Sequence, residues 1–136
     1  METYDVIVIG SGPAGYVAAE RSGSLDKRVL LLEKDQLGGV CTNRGCIPTK
    51  SLLHAAKTYR HARDREKLGV VCQQVSFDLS VAMAWKRETV ETLRSGIQFL
   101  MKNNKVEVIS AEATLVDAHH VKAGEAVYEG ASIIIA

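Results

Sequence analysis

Three glycines, Gly10, Gly12 and Gly15, constrain the fold of this chain more than any other feature. They follow a short, mostly apolar and β-branched run from Tyr4 to Ile9, the profile of a buried parallel strand. Pro13 suits the first turn of a helix, and helical spacing continues beyond it. A strand, a glycine-rich turn and a helix in this order predict a phosphate-binding turn at the edge of a parallel sheet.

A second strand completes a strand–helix–strand unit. The helix is predicted to end at about Ser24, and Arg28 to Leu32 reads as the second strand, followed by Glu33. A unit of about thirty residues is typical of a βαβ motif with a right-handed crossover. An acidic side chain at this place accepts hydrogen bonds from ribose hydroxyls and repels a 2′-phosphate. The pattern therefore favours FAD or NAD over NADP.

At each of the three positions in the turn, there is a physical reason for glycine. Gly10 permits the tight turn, Gly12 lets the backbone approach a pyrophosphate, and Gly15 lets helix and strand pack closely. The pyrophosphate would lie at the helix N-terminus, where amides without intrahelical partners and the helix dipole favour negative charge. The alternative is a glycine-rich turn that binds no ligand. The matching strand, helix and acidic residue make that interpretation the weaker one.

Two cysteines separated by four residues, Cys41 and Cys46, form the second informative feature. In an intracellular chain, a thiol pair this close is more typical of a redox centre than of a structural disulfide. A loop containing Gly38, Gly39 and Gly45 precedes a helix predicted to begin near Cys46. The pair is therefore predicted to form a catalytic disulfide.

The two thiols are predicted to play different parts. At the first turn of a helix, the thiolate of Cys46 is stabilised by the helix dipole and by Lys50, one turn further on. Cys41, on the glycine-rich side, lacks that stabilisation and should be easier for an outside disulfide to reach. We expect Cys41 to exchange with the substrate while Cys46 faces the cofactor. Half of a zinc site, completed by His54 and His61, or two unrelated thiols remain as alternatives.

The 136 residues, 46% hydrophobic and 24% charged, are typical of one globular domain. A net charge of +1 without a basic cluster argues against a nucleic-acid-binding surface. Because no apolar run reaches the length of a membrane span and a strand pattern follows Met1 closely, we predict a cytoplasmic protein. The third thiol, Cys72, lies in an apolar context and is predicted to be buried.

Two helices are predicted in the middle of the chain. The first runs from Cys46 to about Tyr59 and turns highly charged from Arg60 to Lys67. The second, from about Leu79 to Met101, is a packing helix without chemistry. Its predicted apolar stripe consists of Val81, Trp85, Leu93, Ile97 and Leu100.

The hydrophobic period changes to two from Lys105 onward. Val106 and Val108 alternate with a polar residue, and short strands follow at 113–116, 119–122 and 126–128, which together predict a small antiparallel meander. A separate apolar strand is predicted at 132–136. Because it ends abruptly at Ala136, we expect the natural chain to continue.

The segments Val8 to Tyr16 and Gly38 to Lys50 resemble the pyridine nucleotide-disulfide oxidoreductase family, and the resemblance extends over the whole chain. It implies an incomplete α/β, Rossmann-like FAD-binding domain. Residues 1–136 would be its N-terminal part, without the NAD-binding and dimer-interface domains. The most similar members oxidise the dihydrolipoyl groups of 2-oxo acid dehydrogenase complexes as homodimers, through a disulfide and FAD, and reduce NAD. Alternatives are a mercuric or glutathione reductase-like enzyme, or a stand-alone dinucleotide-binding module.

The resemblance also implies site residues. Cys41 would be the interchange thiol and Cys46 the thiol that contacts the flavin, with Lys50 near flavin N5 and no metal. Thr42 and Arg44 stand where relatives often carry apolar residues. The residues expected to bind FAD are Gly10, Ser11, Gly12, Pro13, Ala14, Gly15, Glu33, Lys34, Gly38, Gly39, Val40, Cys41, Lys50 and Ala113.

Overall fold

The computed structural model describes residues 1–64 and 68–136. The end of the charged run predicted at 60–67 lies outside the described residues. The helices within these residues are α1 (Pro13–Ser24), α2 (Gly39–Asn43), α3 (Cys46–Arg63) and α4 (Leu79–Asn103). The strands are β1 (Glu2–Ile9), β2 (Val29–Glu33), β3 (Glu107–Ser110), β4 (Ala113–Leu115), β5 (His120–Ala123) and β6 (Ala126–Ile135).

The described strands form one six-stranded sheet in the order β3-β2-β1-β6-β5-β4. The first four are parallel, and β5 and β4 continue the sheet in antiparallel pairing. Apolar clusters cover both faces: one contains Ile7 and Leu30, and the other contains Val8, Leu31 and Met101. The predicted α/β fold with a parallel sheet, helices and a small antiparallel meander is confirmed, the meander being β4, β5 and β6, and α1 has the predicted bounds.

The prediction for the C-terminal strands is wrong in two respects. The strand after Lys105 does not belong to the meander, because α4 returns the chain so that β3 lies parallel to β2. The strands predicted at 126–128 and 132–136 are one continuous strand, β6. It pairs antiparallel with β5 and parallel with β1, so it joins both parts of the sheet. At Gly130 within it, a Cβ atom would come within 2.9 Å of the Ile7 side chain.

The predicted apolar stripe of α4 is only partly buried. Ile97 is buried together with Ala82 and Met101, whereas Val81 and Trp85 are 63% and 41% exposed. The reason is that Met101 joins the core under the sheet, while the N-terminal part of α4 packs against α3, where the rings of Trp85 and His54 lie 5.8 Å apart. Leu93 and Leu100 are likewise exposed.

Cys72 is exposed, contrary to the prediction of burial. It lies in the irregular segment before α4, which does not enter either apolar cluster. Within residues 1–64 and 68–136, no helix has the length and apolar character needed to cross a membrane. In the same residues, no group of three or more His, Cys, Asp or Glu side chains is arranged to hold a metal ion.

Candidate functional site

A cleft of about 370 Å³ lies where β1, β2 and β6 end. Ligands of open α/β sheets bind at this edge, beyond the carboxyl ends of the parallel strands. Seven predicted cofactor-binding residues line it: Gly10, Ser11, Gly12, Glu33, Lys34, Gly39 and Val40. A neighbouring cleft of about 230 Å³ shares Gly10, Glu33, Lys34 and Ala136 with the first and adds Ala113.

The glycines of the fingerprint turn face different surroundings. A Cβ atom on Gly15 would overlap the carbonyl oxygen of Gly10, so α1 approaches the turn too closely for any side chain there. A Cβ atom on Gly12 would meet no atom within 4 Å, because this position opens into the cleft. Gly15 therefore serves packing, and Gly12 leaves the cleft free for a ligand.

Helix α1 begins beside the cleft. Gly12 is its N-cap residue, Pro13 occupies the first turn, and no side chain caps the helix. The N-terminal end of a helix carries partial positive charge from its unpaired amides. The cleft therefore presents an uncapped helix terminus to a ligand, a setting that suits a phosphate group.

Glu33 holds the fingerprint turn from the adjacent strand. Its Oε2 accepts hydrogen bonds from the Ser11 backbone amide at 2.8 Å and from the Ser11 hydroxyl at 2.5 Å. Its Oε1 accepts one from the amide of Asp35 at 2.9 Å. Partial burial raises the pKa of Glu33, but these hydrogen bonds favour the carboxylate more strongly, and the net pKa lies below its ordinary value.

Replacing Glu33 by Gln is expected to destabilise the chain by about 1–2 kcal/mol at neutral pH. The reason is that the NH₂ group of glutamine would face a hydrogen-bond donor that now pairs with a carboxylate oxygen. Since the pKa of Glu33 is lowered in the folded chain, its stabilisation is present above the unfolded value of 4.5. That stabilisation is lost as the pH falls through the lowered folded-state pKa. Urea unfolding of both chains at a series of pH values would measure this, and a pH-independent difference between them would contradict it.

Several residues that line the cleft were missed by the sequence analysis: Asp35, Gln36, Asn43 and Ala136. Arg44, noted only as a departure from the family, also lines it and donates to the carboxylate of Asp35. Asp35 and Gln36 follow β2 after Lys34, and Ala136 directly follows β6. The rule that ligands bind beyond the carboxyl ends of parallel strands could have indicated these three.

The two cysteines form a disulfide with a Cα–Cα distance of 4.7 Å. Cys46 is the first residue of α3, as predicted, whereas Cys41 lies in the short helix α2 rather than in a loop. The expectation that Cys41 is the easier thiol to reach does not hold for these residues: Cys41 is half-buried and Cys46 is exposed. Gly38, just before α2, lies against Thr42 and Ile97.

Helix α2 carries Cys41 of the disulfide and also contributes residues to the lining of the cleft. Val40, the residue before Cys41, lines the cleft together with Gly39 and Asn43. Lys50 lies exposed one turn after Cys46. Of the other predicted residues, Pro13, Ala14, Gly15 and Gly38 surround the fingerprint turn and α2 without lining the cleft.

A larger groove of about 640 Å³ lies between α3 and α4. Its lining is dominated by apolar and aromatic side chains, among them Tyr59, Phe77 and Trp85. None of the residues that line it is a cysteine, and it does not include the fingerprint turn. The fingerprint turn and the cysteine pair therefore lie outside this groove.

Comparison with known proteins identifies the family of the chain. Residues 4–136 match the family described as pyridine nucleotide-disulphide oxidoreductase. The chain is 42% identical over 118 residues to a dihydrolipoyl dehydrogenase of Geobacillus stearothermophilus, covering 87% of this chain and 25% of that protein. It is 43% identical over 136 residues to a dihydrolipoyl dehydrogenase of Thermus scotoductus, covering 100% of this chain and 29% of that protein.

A solved structure is also similar. The Cu(II) complex of the HOCl-induced flavoprotein disulfide reductase RclA from Escherichia coli superposes with a TM-score of 0.78 at 28% identity. The match covers 96% of this chain and 27% of that chain. The chain thus spans between a quarter and a third of the length of these similar proteins.

Proposed function

Because the chain belongs to the pyridine nucleotide-disulfide oxidoreductase family, we propose that it binds FAD and carries the redox-active disulfide of a dihydrolipoyl dehydrogenase. The observation that carries this proposal is the Cys41–Cys46 disulfide on α2 and α3, directly beside the cleft at the fingerprint turn. As an N-terminal FAD-binding portion, residues 1–136 would supply both the cofactor cleft and the dithiol.

The residues of the cleft fit FAD. Gly12 opens into the cleft, so a pyrophosphate can approach the backbone at the uncapped N-terminus of α1. Glu33 lies at the same edge with a carboxylate that retains acceptor capacity for ribose hydroxyls. The second cleft extends this surface to Ala113, the position expected near the adenine.

The cysteine pair would exchange electrons with a dihydrolipoyl dithiol. One substrate thiolate attacks Sγ of Cys41, the Cys41–Cys46 bond breaks, and Cys46 leaves as a thiolate. The second substrate thiolate then attacks the substrate sulfur joined to Cys41, which closes the dithiolane and releases the thiolate of Cys41. The two substrate thiols release their two protons to solvent when they ionise, and the two electrons pass to the cysteine pair, which ends as two thiolates. When bound, FAD supplies the acceptor for that electron pair.

The position of Cys46 at the start of α3 supports its role as the leaving and cofactor-facing thiol. The dipole of an eighteen-residue helix stabilises a thiolate at its N-terminus. The exposure of Cys46 leaves this residue open to a cofactor. Cys41, two residues after a glycine that lines the cleft, remains our proposal for the interchange thiol.

The remaining assignments concern a protein of the relatives' full length. We propose NAD as the final electron acceptor, lipoyl groups of 2-oxo acid dehydrogenase complexes as substrates, and a homodimer as the assembly. The cytoplasmic location stays a prediction. A related flavoprotein disulfide reductase with another substrate is the second candidate, favoured by the similarity to RclA. Turnover measured with dihydrolipoamide, oxidised glutathione and Hg²⁺ would separate these activities.

Replacing Gly12 by Ala is expected to weaken FAD binding about tenfold, because the added methyl group would occupy the open position beside α1. Titration of the chain with FAD, followed by quenching of flavin fluorescence, measures the dissociation constant. The stability should stay close to that of the wild type, since the methyl group meets no protein atom. Replacing Gly96 by Ala, also in open space but on α4, is the matched control. No FAD binding by the folded wild-type chain, or equal binding by both variants, would contradict the proposed cleft.

A further inference from the structure

Asn43 is the last residue of α2, two positions after Cys41, and its side chain reaches back along the helix. Its amide nitrogen lies 2.9 Å from the carbonyl oxygens of Leu37 and Gly39 and 3.3 Å from that of Gln36. One side-chain amide group thus spans the turn before α2 and the first residue of the helix.

The oxygen atom of the same amide group differs from the nitrogen in its hydrogen bonding. The Oδ1 atom of Asn43 is buried and has no hydrogen-bond partner among the described residues. Leaving a buried acceptor unpaired costs free energy. Because the three neighbours of the nitrogen are all acceptors, the side chain serves here as a donor.

The turn that Asn43 binds is itself attached to the cofactor cleft. The amide of Gly38 donates to the carbonyl oxygen of Ser11 at 3.0 Å, and Gly38 has a φ of 95°. A Cβ atom on Gly39 would lie 2.7 Å from the Cα of Gly12. The turn therefore cannot shift without disturbing the fingerprint turn, and Asn43 joins α2 to this fixed segment.

We propose that Asn43 is a positioning residue for the redox disulfide, which holds α2 against the turn at 36–39 so that Cys41 stays within bonding reach of Cys46. The inference rests on the proposed redox function of the pair. It follows from the placement of the two thiols on separate helices, whose cysteine Cα atoms lie 4.7 Å apart. Without the anchor, α2 is released, and the effective concentration of one thiol near the other falls.

The test compares Asn43→Asp with wild type in a thiol–disulfide equilibrium. Dithiothreitol gives two electrons and two protons to the Cys41–Cys46 bond and becomes a cyclic disulfide. A carboxylate facing three carbonyl oxygens loses all the donated hydrogen bonds. We therefore expect the equilibrium constant for formation of the Cys41–Cys46 disulfide to fall about tenfold, equivalent to about 30 mV. Asn43→Ala, which adds no charge, should shift it in the same direction.

Asn104→Asp is the matched control. The side chain of Asn104 donates to the carbonyl oxygen of Leu100 at 2.9 Å, but at the exposed end of α4. A loss of stability shared by the oxidised and reduced chains cancels in the equilibrium, so this variant should match wild type. Folded Asn43 variants with the wild-type equilibrium constant would overturn the inference.

A measurement on the wild-type chain covers the case in which the variants do not fold. The side-chain NH₂ protons of Asn43 should exchange with water more slowly than those of Asn104 in NMR spectra of the oxidised chain. Equal exchange rates would overturn the inference even without variants. If wild-type Cys41 and Cys46 do not interconvert reversibly, the proposed function fails instead, which separates the two outcomes.

Discussion

Replacing Cys41 by Ser is expected to lower dihydrolipoyl oxidation about a thousandfold or more in a full-length protein that carries this chain. The effect is large because serine cannot form the Cys41–Cys46 disulfide, and the substrate then has no sulfur–sulfur bond to attack. The measurement is NAD-linked turnover of dihydrolipoamide at saturating substrate.

Replacing Cys72 by Ser is the control for this experiment. Cys72 is an exposed free thiol outside both apolar clusters, so its loss should leave turnover near the wild-type value. The 136-residue chain offers a direct readout: dithiothreitol should expose two further thiols in wild type and in C72S, but none in C41S. Turnover within about tenfold of wild type in C41S would rule out the proposed exchange.

Replacing Gly15 by Ala is expected to destabilise the chain by about 3 kcal/mol or more. The added Cβ atom would overlap the carbonyl oxygen of Gly10, and its next neighbours are the carbonyl carbon of Gly10 and the side chain of Ala136. A backbone oxygen cannot swing aside as the end of a flexible side chain can. Relief requires α1 to move away from β1, which opens the core around Val8 and Ala19.

Replacing Gly96 by Ala tests the same chemical change without the overlap. Gly96 lies within α4, and a Cβ atom there would meet nothing within 4 Å. Since alanine is the better helix former, this variant should be about 0.5–1 kcal/mol more stable than wild type. Urea unfolding followed by circular dichroism measures both variants. A G15A chain as stable as wild type would show that α1 does not pack on the turn as described.

The first strand–helix–strand unit could be predicted from local patterns alone. Pro13 and the glycine after β1 mark the start of α1, and the apolar runs of β1 and β2 are continuous because both faces of these strands are covered. The start of α3 at Cys46 was predictable for a related reason, since Pro48 is accepted only in a first turn. In these segments, local preference and tertiary packing agree.

The candidate site was predictable at the residues with special backbone or redox chemistry. Gly12 and Glu33 line the cleft, and Cys41 and Cys46 form the disulfide. Asn43 was not assigned a role, because nothing in its sequence context shows that three carbonyl oxygens converge on its side chain. That convergence depends on the path of the turn at 36–39, which long-range contacts with the fingerprint turn decide.

The sequence by itself therefore determined the glycine-rich turn after β1, the acidic residue at the end of β2 and the cysteine at the start of α3, since each depends on a short motif with its own stereochemistry. Only the tertiary structure decided that residues 126–135 form one strand, that β3 joins the parallel side of the sheet, and that Cys41 lies half-buried in a helix. These features depend on which distant segments become neighbours, as when Gly130 meets Ile7 across the sheet. Pairing of this kind is set by burial of the whole sheet rather than by local preference.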